Sequence, residues 1–274
     1  MKYSDLYFSS INKIKDNKKT LDIQILIEKA FNLTKSQFWI KKNNEIKNKI
    51  GLNKFYRHFK RLKNEEPIAY ILKEKEFFSE NFYINKNVLI PRPETEILVE
   101  KAMGLKPSPS KILDIGAGSG IISIILAKKL NTKVISVEKS KKSIYVLKKN
   151  ILIHRVENKV IPVLADLFPK NYDKFDLIIS NPPYLSAIDW EKSPLNIKKF
   201  EPRSSLVSGK NGTEIIKKII INSPDYLKKE GTILVEIGYN QKEIVEKILK
   251  KRGFSNISFF NDYNNIQRIA YAEL

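Results

Sequence analysis

The chain has 274 residues, and 50 Lys and Arg against 30 Asp and Glu give it a formal charge of +20. A hydrophobic content of 42% supports a sizeable core and excludes disorder as the main state; the lack of cysteine excludes disulfide frameworks, thiol catalysis and Cys-ligated metals. Two histidines, His58 and His154, are too few for a multi-histidine metal centre. No apolar run approaches the roughly 18–20 residues of a membrane span, and Met1 to Asp5 lacks the pattern of a secretory signal. The expectation is a soluble, cytoplasmic protein with no membrane partner and no metal, built as one large domain or two unequal ones.

Residues 1–75 hold one glycine and one proline, and Ile23, Leu26, Ile27, Ala30 and Phe31 recur at helical spacing. A bundle of four or five short helices is expected, with Ser10, Thr20, Thr34 and Asn53 as helix starts. Residues 76–93 change character. Phe77-Phe78, Phe82-Tyr83-Ile84 and Val88-Leu89-Ile90 are short aromatic and β-branched runs that read as a hairpin, closed by Pro91-Arg92-Pro93. A helix is expected from Glu94 to about Gly104.

Beyond residue 110, strands and helices alternate. Strands are expected at 111–114, 133–138, 160–164, 175–180, 231–236, 254–260 and 266–273. Helices are expected at 121–130, 141–151, 213–228 and 241–252. This order means an α/β fold with a mostly parallel sheet covered on both faces.

Three of the ten glycines fall within five residues, in Asp114-Ile115-Gly116-Ala117-Gly118-Ser119-Gly120. They stand where the first sheet strand passes into a helix, and glycine there permits a tight turn and close approach to a ligand. A dinucleotide loop would put its third glycine at 121, where this chain has Ile121. The spacing resembles instead the D-x-G-x-G-x-G loop of class I methyltransferases, whose cofactor is S-adenosyl-L-methionine. Glu138 ends the next strand, placed to accept hydrogen bonds from ribose hydroxyls. Asp166 ends the third, where related folds set an acid near adenine.

Asn181-Pro182-Pro183-Tyr184 follows the fourth strand. The prolines fix the backbone, so the Asn181 side-chain oxygen and the Pro182 carbonyl can each accept one N–H of a planar nitrogen. Tyr184 is expected to pack on the flat substrate group and meet developing positive charge. Catalysis is then proximity and electrostatic preorganisation without a strong base. His154 has no part in it and is expected at the surface. The tetrapeptide leaves open whether an adenine amino group or a glutamine amide is methylated.

The flanking motifs are Glu66-Pro67-Ile68-Ala69-Tyr70-Ile71, Leu89-Ile90-Pro91-Arg92-Pro93-Glu94-Thr95-Glu96, Phe200-Glu201-Pro202-Arg203, Gly209 with Gly212, and Glu236-Ile237-Gly238 with Gln241. With these the chain resembles the release factor glutamine methyltransferases from roughly residue 55 onward. The resemblance implies a helical substrate-docking domain (1–75), a β-hairpin linker (76–93) and a Rossmann-like class I methyltransferase domain with a seven-stranded sheet (94–274). It implies S-adenosyl-L-methionine held by Gly116, Ala117, Gly118, Ser119, Gly120, Glu138, Asp166, Leu167 and Asn181. It implies a protein substrate, the glutamine of the Gly-Gly-Gln loop of class 1 peptide chain release factors. Asn181, Pro182, Pro183 and Tyr184 would bind that amide, with Asn181, Pro182 and Tyr184 as the catalytic set. A monomer that needs no direct nucleic-acid binding is expected; Arg92 and Glu94 read as packing residues.

Departures from the family are also present. It usually has glycine at Lys73, often Trp at Leu167 and Asp at Glu138, and a glycine shortly before Arg268. Charge is the last feature. Only seven of the 50 basic residues are Arg, the residue that reads phosphates and bases with its bidentate fork, which fits compositional drift onto solvated faces. Residues 1–75 nonetheless carry 18 Lys and Arg against 8 Asp and Glu, half the net charge.

Overall fold

The computed structural model describes residues 1–14 and 19–274; positions 15–18 of the expected helical bundle lie outside them. The chain divides into two compact units, Met1–Leu72 and Lys73–Leu274.

The first unit is helical: α1 (Tyr3–Lys13), α2 (Thr20–Phe31), α3 (Lys35–Lys41), α4 (Lys49–Lys63) and α5 (Ile68–Leu72). Its core gathers Leu6, Leu26, Ile27, Phe38, Phe55 and Leu62, with the rings of Phe55 and Phe59 stacked at 5.5 Å. Thr34 caps α3 in a reciprocal box with Gln37, one of the expected starts. Thr20 is the first residue of α2 rather than its cap. Ser10 and Asn53 lie inside helices instead. The Ser10 hydroxyl bonds the Leu6 carbonyl one turn back, and Asn48 caps α4 by accepting from Gly51 N–H at 2.8 Å. Arg61 donates from Nε and Nη2 to the two oxygens of Glu66, at 2.8 and 2.6 Å, pinning the α4–α5 corner.

The second unit opens with a hairpin, β1 (Glu74–Phe77) and β2 (Glu80–Tyr83), antiparallel with Glu74 opposite Tyr83. Phe77 and Phe82 are buried in the same core as the sheet that follows. Val88-Leu89-Ile90 is not a strand. Its backbone is taken by a side chain, Ile90 N–H donating to Glu201 Oε2, and Pro91 stops any ladder. Lys73, where the family usually has glycine, sits at φ +61°, a left-handed conformation that disfavours any side chain. Asn265, at φ +59°, takes the left-handed turn before Arg268, a place asparagine tolerates.

Next come α6 (Glu94–Met103), β3 (Lys111–Ile115), α7 (Ile121–Lys129), β4 (Lys133–Glu138), α8 (Lys141–Ile153), β5 (Val160–Leu164) and β6 (Phe175–Ser180). Two six-residue helices, α9 (Ala187–Lys192) and α10 (Leu195–Phe200), follow Tyr184. Then α11 (Glu214–Asn222), β7 (Leu227–Glu236), α12 (Lys242–Lys251), β8 (Ser255–Asn261) and β9 (Gln267–Glu273) complete the fold. The helix expected to reach 228 stops at Asn222 because Pro224, in a 3-10 turn, has no N–H to continue it.

The sheet runs β5-β4-β3-β6-β7-β9-β8. The first five strands are parallel, and β9 pairs antiparallel with both β7 and β8. This is the mostly parallel seven-stranded sheet of a Rossmann-like class I methyltransferase. Side chains alternate between two cores. Ile112, Val134, Leu177 and Leu234 face α6 and α7, whereas Leu113, Ile135, Ile178 and Ile233 face α11 and α12. No described helix is long and apolar enough to cross a membrane.

Candidate active site

The strand order reverses at β3, which neighbours both β4 and β6. At such a switch point the loops leaving adjacent strands part and open a crevice at the carboxyl edge. A cavity of about 560 Å³ lies there. Its wall includes Gly116 to Ser119 after β3, Glu138 at the end of β4, Ala165 to Leu167 after β5, and Ser180 to Pro183 after β6.

At the β3 end the wall is backbone. Gly116 and Ala117 N–H both donate to the Val137 carbonyl, at 2.8 and 2.9 Å, folding the loop against β4. Gly116 and Gly118 have φ of +75° and +56°, and a side chain built on Gly116 would meet no atom within 4 Å. The loop thus leaves open the space that any side chain there would fill. Glu138 accepts from Gly118 N–H at 3.0 Å and from Ser140 N–H at 2.8 Å, one bond to each oxygen. Each oxygen keeps a further lone pair for a ligand. Ser119 lines the cavity, and its carbonyl accepts from Asn150. Asp166 lines it beside Lys139, 2.7 Å away, and Leu167 stands next to it at φ +68°.

Gly120 does not line the cavity. It begins α7, and a side chain there would meet Leu147 Cδ1 at 2.4 Å, so this glycine serves helix packing. Behind the loop, Asp114 is fully buried and accepts from the Ser123 hydroxyl, which in turn accepts from Ser136. Burial pushes its carboxyl up to about 7, against the pull of the Ser123 bonds.

At the β6 end the wall is side chain. Asn181, Pro182 and Pro183 line the cavity, as does Thr95 from the first turn of α6. Asn181 Nδ2 donates to Thr95 Oγ1 at 2.9 Å, and Thr95 Oγ1 donates to Glu236 Oε2 at 2.8 Å. Among the described residues Asn181 Oδ1 takes no hydrogen bond. Glu236, at the end of β7, is buried, and desolvation pushes its carboxyl up to about 7 despite the Thr95 bond and the nearby Arg268 charge.

Tyr184 is not part of the cavity wall. Burial, with the Glu236 charge adding to it, raises its phenol. Gln241 holds the loop from behind, donating from Nε2 to the carbonyls of Tyr184 and Gly212, both at 3.0 Å. Arg92 lines the cavity and donates to Glu201 at 2.6 Å, tying the segment after the hairpin to the end of α10. His154 is not at the surface. Its ring lies 4.4 Å from that of Phe82 and 3.6 Å from Glu80, because it ends α8 under the hairpin.

A methyltransferase small domain matches residues 93–194. The chain is 39% identical over 261 residues to the release factor glutamine methyltransferase of Buchnera aphidicola subsp. Baizongia pistaciae, covering 92% of this chain and 91% of that one. It is 32% identical over 256 residues to the release factor glutamine methyltransferase of Aquifex aeolicus, covering 92% and 90%. The chain belongs to the release factor glutamine methyltransferase family. A solved methyltransferase from Pyrococcus furiosus shares its fold, with a TM-score of 0.56 at 18% identity over 79% of this chain and 98% of that one.

In this methyltransferase the residues that sequence reasoning passed over are Thr95, Glu236 and Gln241. All three stand inside motifs quoted for the resemblance. Their spacing carries no signal of a shared role, because α6, β7 and the start of α12 meet only in the folded chain.

Proposed function

We propose that this enzyme transfers a methyl group to the side-chain amide nitrogen of the glutamine in the Gly-Gly-Gln motif of class 1 peptide chain release factors. The observation that carries the proposal is Asn181, whose amide is anchored through Nδ2 so that Oδ1 is the free acceptor on the cavity wall. An acceptor oxygen is what an amide N–H₂ group seeks. The names and coverage of the relatives support the same substrate and disfavour the alternative, an adenine amino-methyltransferase acting on DNA or RNA.

S-adenosyl-L-methionine, when bound, would supply an electrophilic methyl group, the sulfonium S–CH₃ bond breaking with its electron pair left on sulfur as the neutral thioether of S-adenosylhomocysteine. The residues present fit it: the side-chain-free loop at Gly116 and Gly118, and the lone pairs that Glu138 keeps beside that loop for ribose hydroxyls. Ala117, Ser119, Asp166 and Leu167 would complete its surroundings. Asn181 Oδ1 and the Pro182 carbonyl would each accept one N–H of the substrate amide. Held by both, the nitrogen gives up planar delocalisation more readily and its lone pair is aimed for attack. As the new N–C bond forms, an N–H proton becomes acidic and is lost to solvent, so no strong base is needed. The first helical unit would dock the release factor, and a cytoplasmic monomer that does not require nucleic acid is the form proposed.

The test is methyl transfer from labelled S-adenosyl-L-methionine to a recombinant class 1 release factor. Label at the Gly-Gly-Gln glutamine is expected. Label in DNA or RNA, with none in the release factor, contradicts the proposal.

A further inference from the structure

Asn181 is the outer member of a chain of three side chains drawn from three elements. Thr95 is 1% exposed and Glu236 1% exposed, so neither hydroxyl nor carboxylate finds water as an alternative partner. The Thr95 hydroxyl has one hydrogen, and with Glu236 ionised it goes to Glu236 Oε2. What remains on its oxygen is lone pairs, and those accept Asn181 Nδ2. An Asn181 amide turned end for end would set its carbonyl oxygen against the Thr95 oxygen. Two acceptors would then face each other in a buried site, which costs a hydrogen bond and leaves a donor aimed at the substrate donor.

We propose that Thr95 and Glu236 are positioning residues that fix the amide of Asn181 in the one orientation able to accept the substrate N–H. The assignment rests on the proposed glutamine reaction. Arg268 and Glu94 are the charges near Glu236.

The test compares Thr95→Val, which keeps the shape and removes the hydroxyl, with Thr95→Ser, which keeps the hydroxyl. Expected for T95V is a kcat about 10²-fold below wild type, the scale of losing one preorganised electrostatic contact. Its KM for the release factor and its thermal shift on adding S-adenosyl-L-methionine stay within about twofold of wild type, and T95S recovers kcat to within about threefold. A T95V kcat at the wild-type level, a T95S as impaired as T95V, or a T95V that no longer responds to the cofactor overturns the assignment. Thr95→Ala gives the same comparison if the valine variant does not fold. A wild-type enzyme that leaves the release factor glutamine unlabelled overturns the functional proposal itself, before any variant is made.

Discussion

At the β3 end of the cavity the wall is made of backbone, and at the β6 end it is made of aimed side chains. Gly116 and Gly118 act by what they omit, since positive φ and missing side chains leave room against β4. Asn181 acts by what it presents, an amide whose direction is set through Thr95 and Glu236. Each end has a buried carboxylate behind it, Asp114 bonded to Ser123 under the loop and Glu236 bonded to Thr95 under the asparagine. A binding end tolerates loss of contacts but not added bulk; a reacting end tolerates bulk changes better than a lost or reversed hydrogen bond.

The largest effect is expected at the reacting end. Asn181→Ala should lower kcat by about 10³-fold, the upper range for one preorganised group, while cofactor affinity measured by calorimetry falls by less than about tenfold. Turnover at the wild-type level would break the division between the ends. Gly116→Val should split the other way. A β-branched residue at φ +75° is strained by about 1–2 kcal/mol and projects into the open space, so cofactor affinity should fall by about 10²-fold. Equilibrium binding checks it, and unchanged affinity would mean that the glycine loop is not the binding end.

How far these ends could be read beforehand depended on the kind of constraint. β4, β5 and β6 are short apolar, β-branched runs whose limits are set locally, and their sequence-derived bounds coincide with the strands. The glycine loop was legible because three glycines in five residues have few other uses. The helices α9 and α10 were missed because six residues do not complete two turns of any periodic pattern. Val88 to Ile90 has strand composition, yet its backbone bond goes to Glu201, 111 positions away, which no local rule anticipates. Tyr184 was expected over the substrate because aromatic rings stack on flat groups. Its phenol also lies near the buried Glu236 charge, a neighbour fixed only by the packing of β7 against β6.

The paired carboxylates give a smaller effect, in stability. Both are raised on folding, from ordinary values near 4 to about 7. Their contribution to stability is therefore fully present below about pH 4 and is lost as pH rises through about 7, by a few kcal/mol at most. Asp114→Asn should flatten the fall in melting temperature over that window. A slope identical to wild type would mean that Asp114 is ionised as readily in the fold as outside it.

The smallest effect is expected from the first unit. Reversing the exposed Lys41, Lys47 and Lys49 to Glu should raise KM for the release factor about two- to tenfold in low salt, and less in high salt, leaving kcat alone. No change in KM would assign the basic excess of residues 1–75 to composition alone.

The chemistry at Asn181 Oδ1 is read out by mass spectrometry of the release factor peptide bearing Gly-Gly-Gln. After incubation with the wild-type enzyme and S-adenosyl-L-methionine, the glutamine should carry one added methyl group, and with Asn181→Ala it should not. An unmodified glutamine after incubation with the wild-type enzyme would contradict the account.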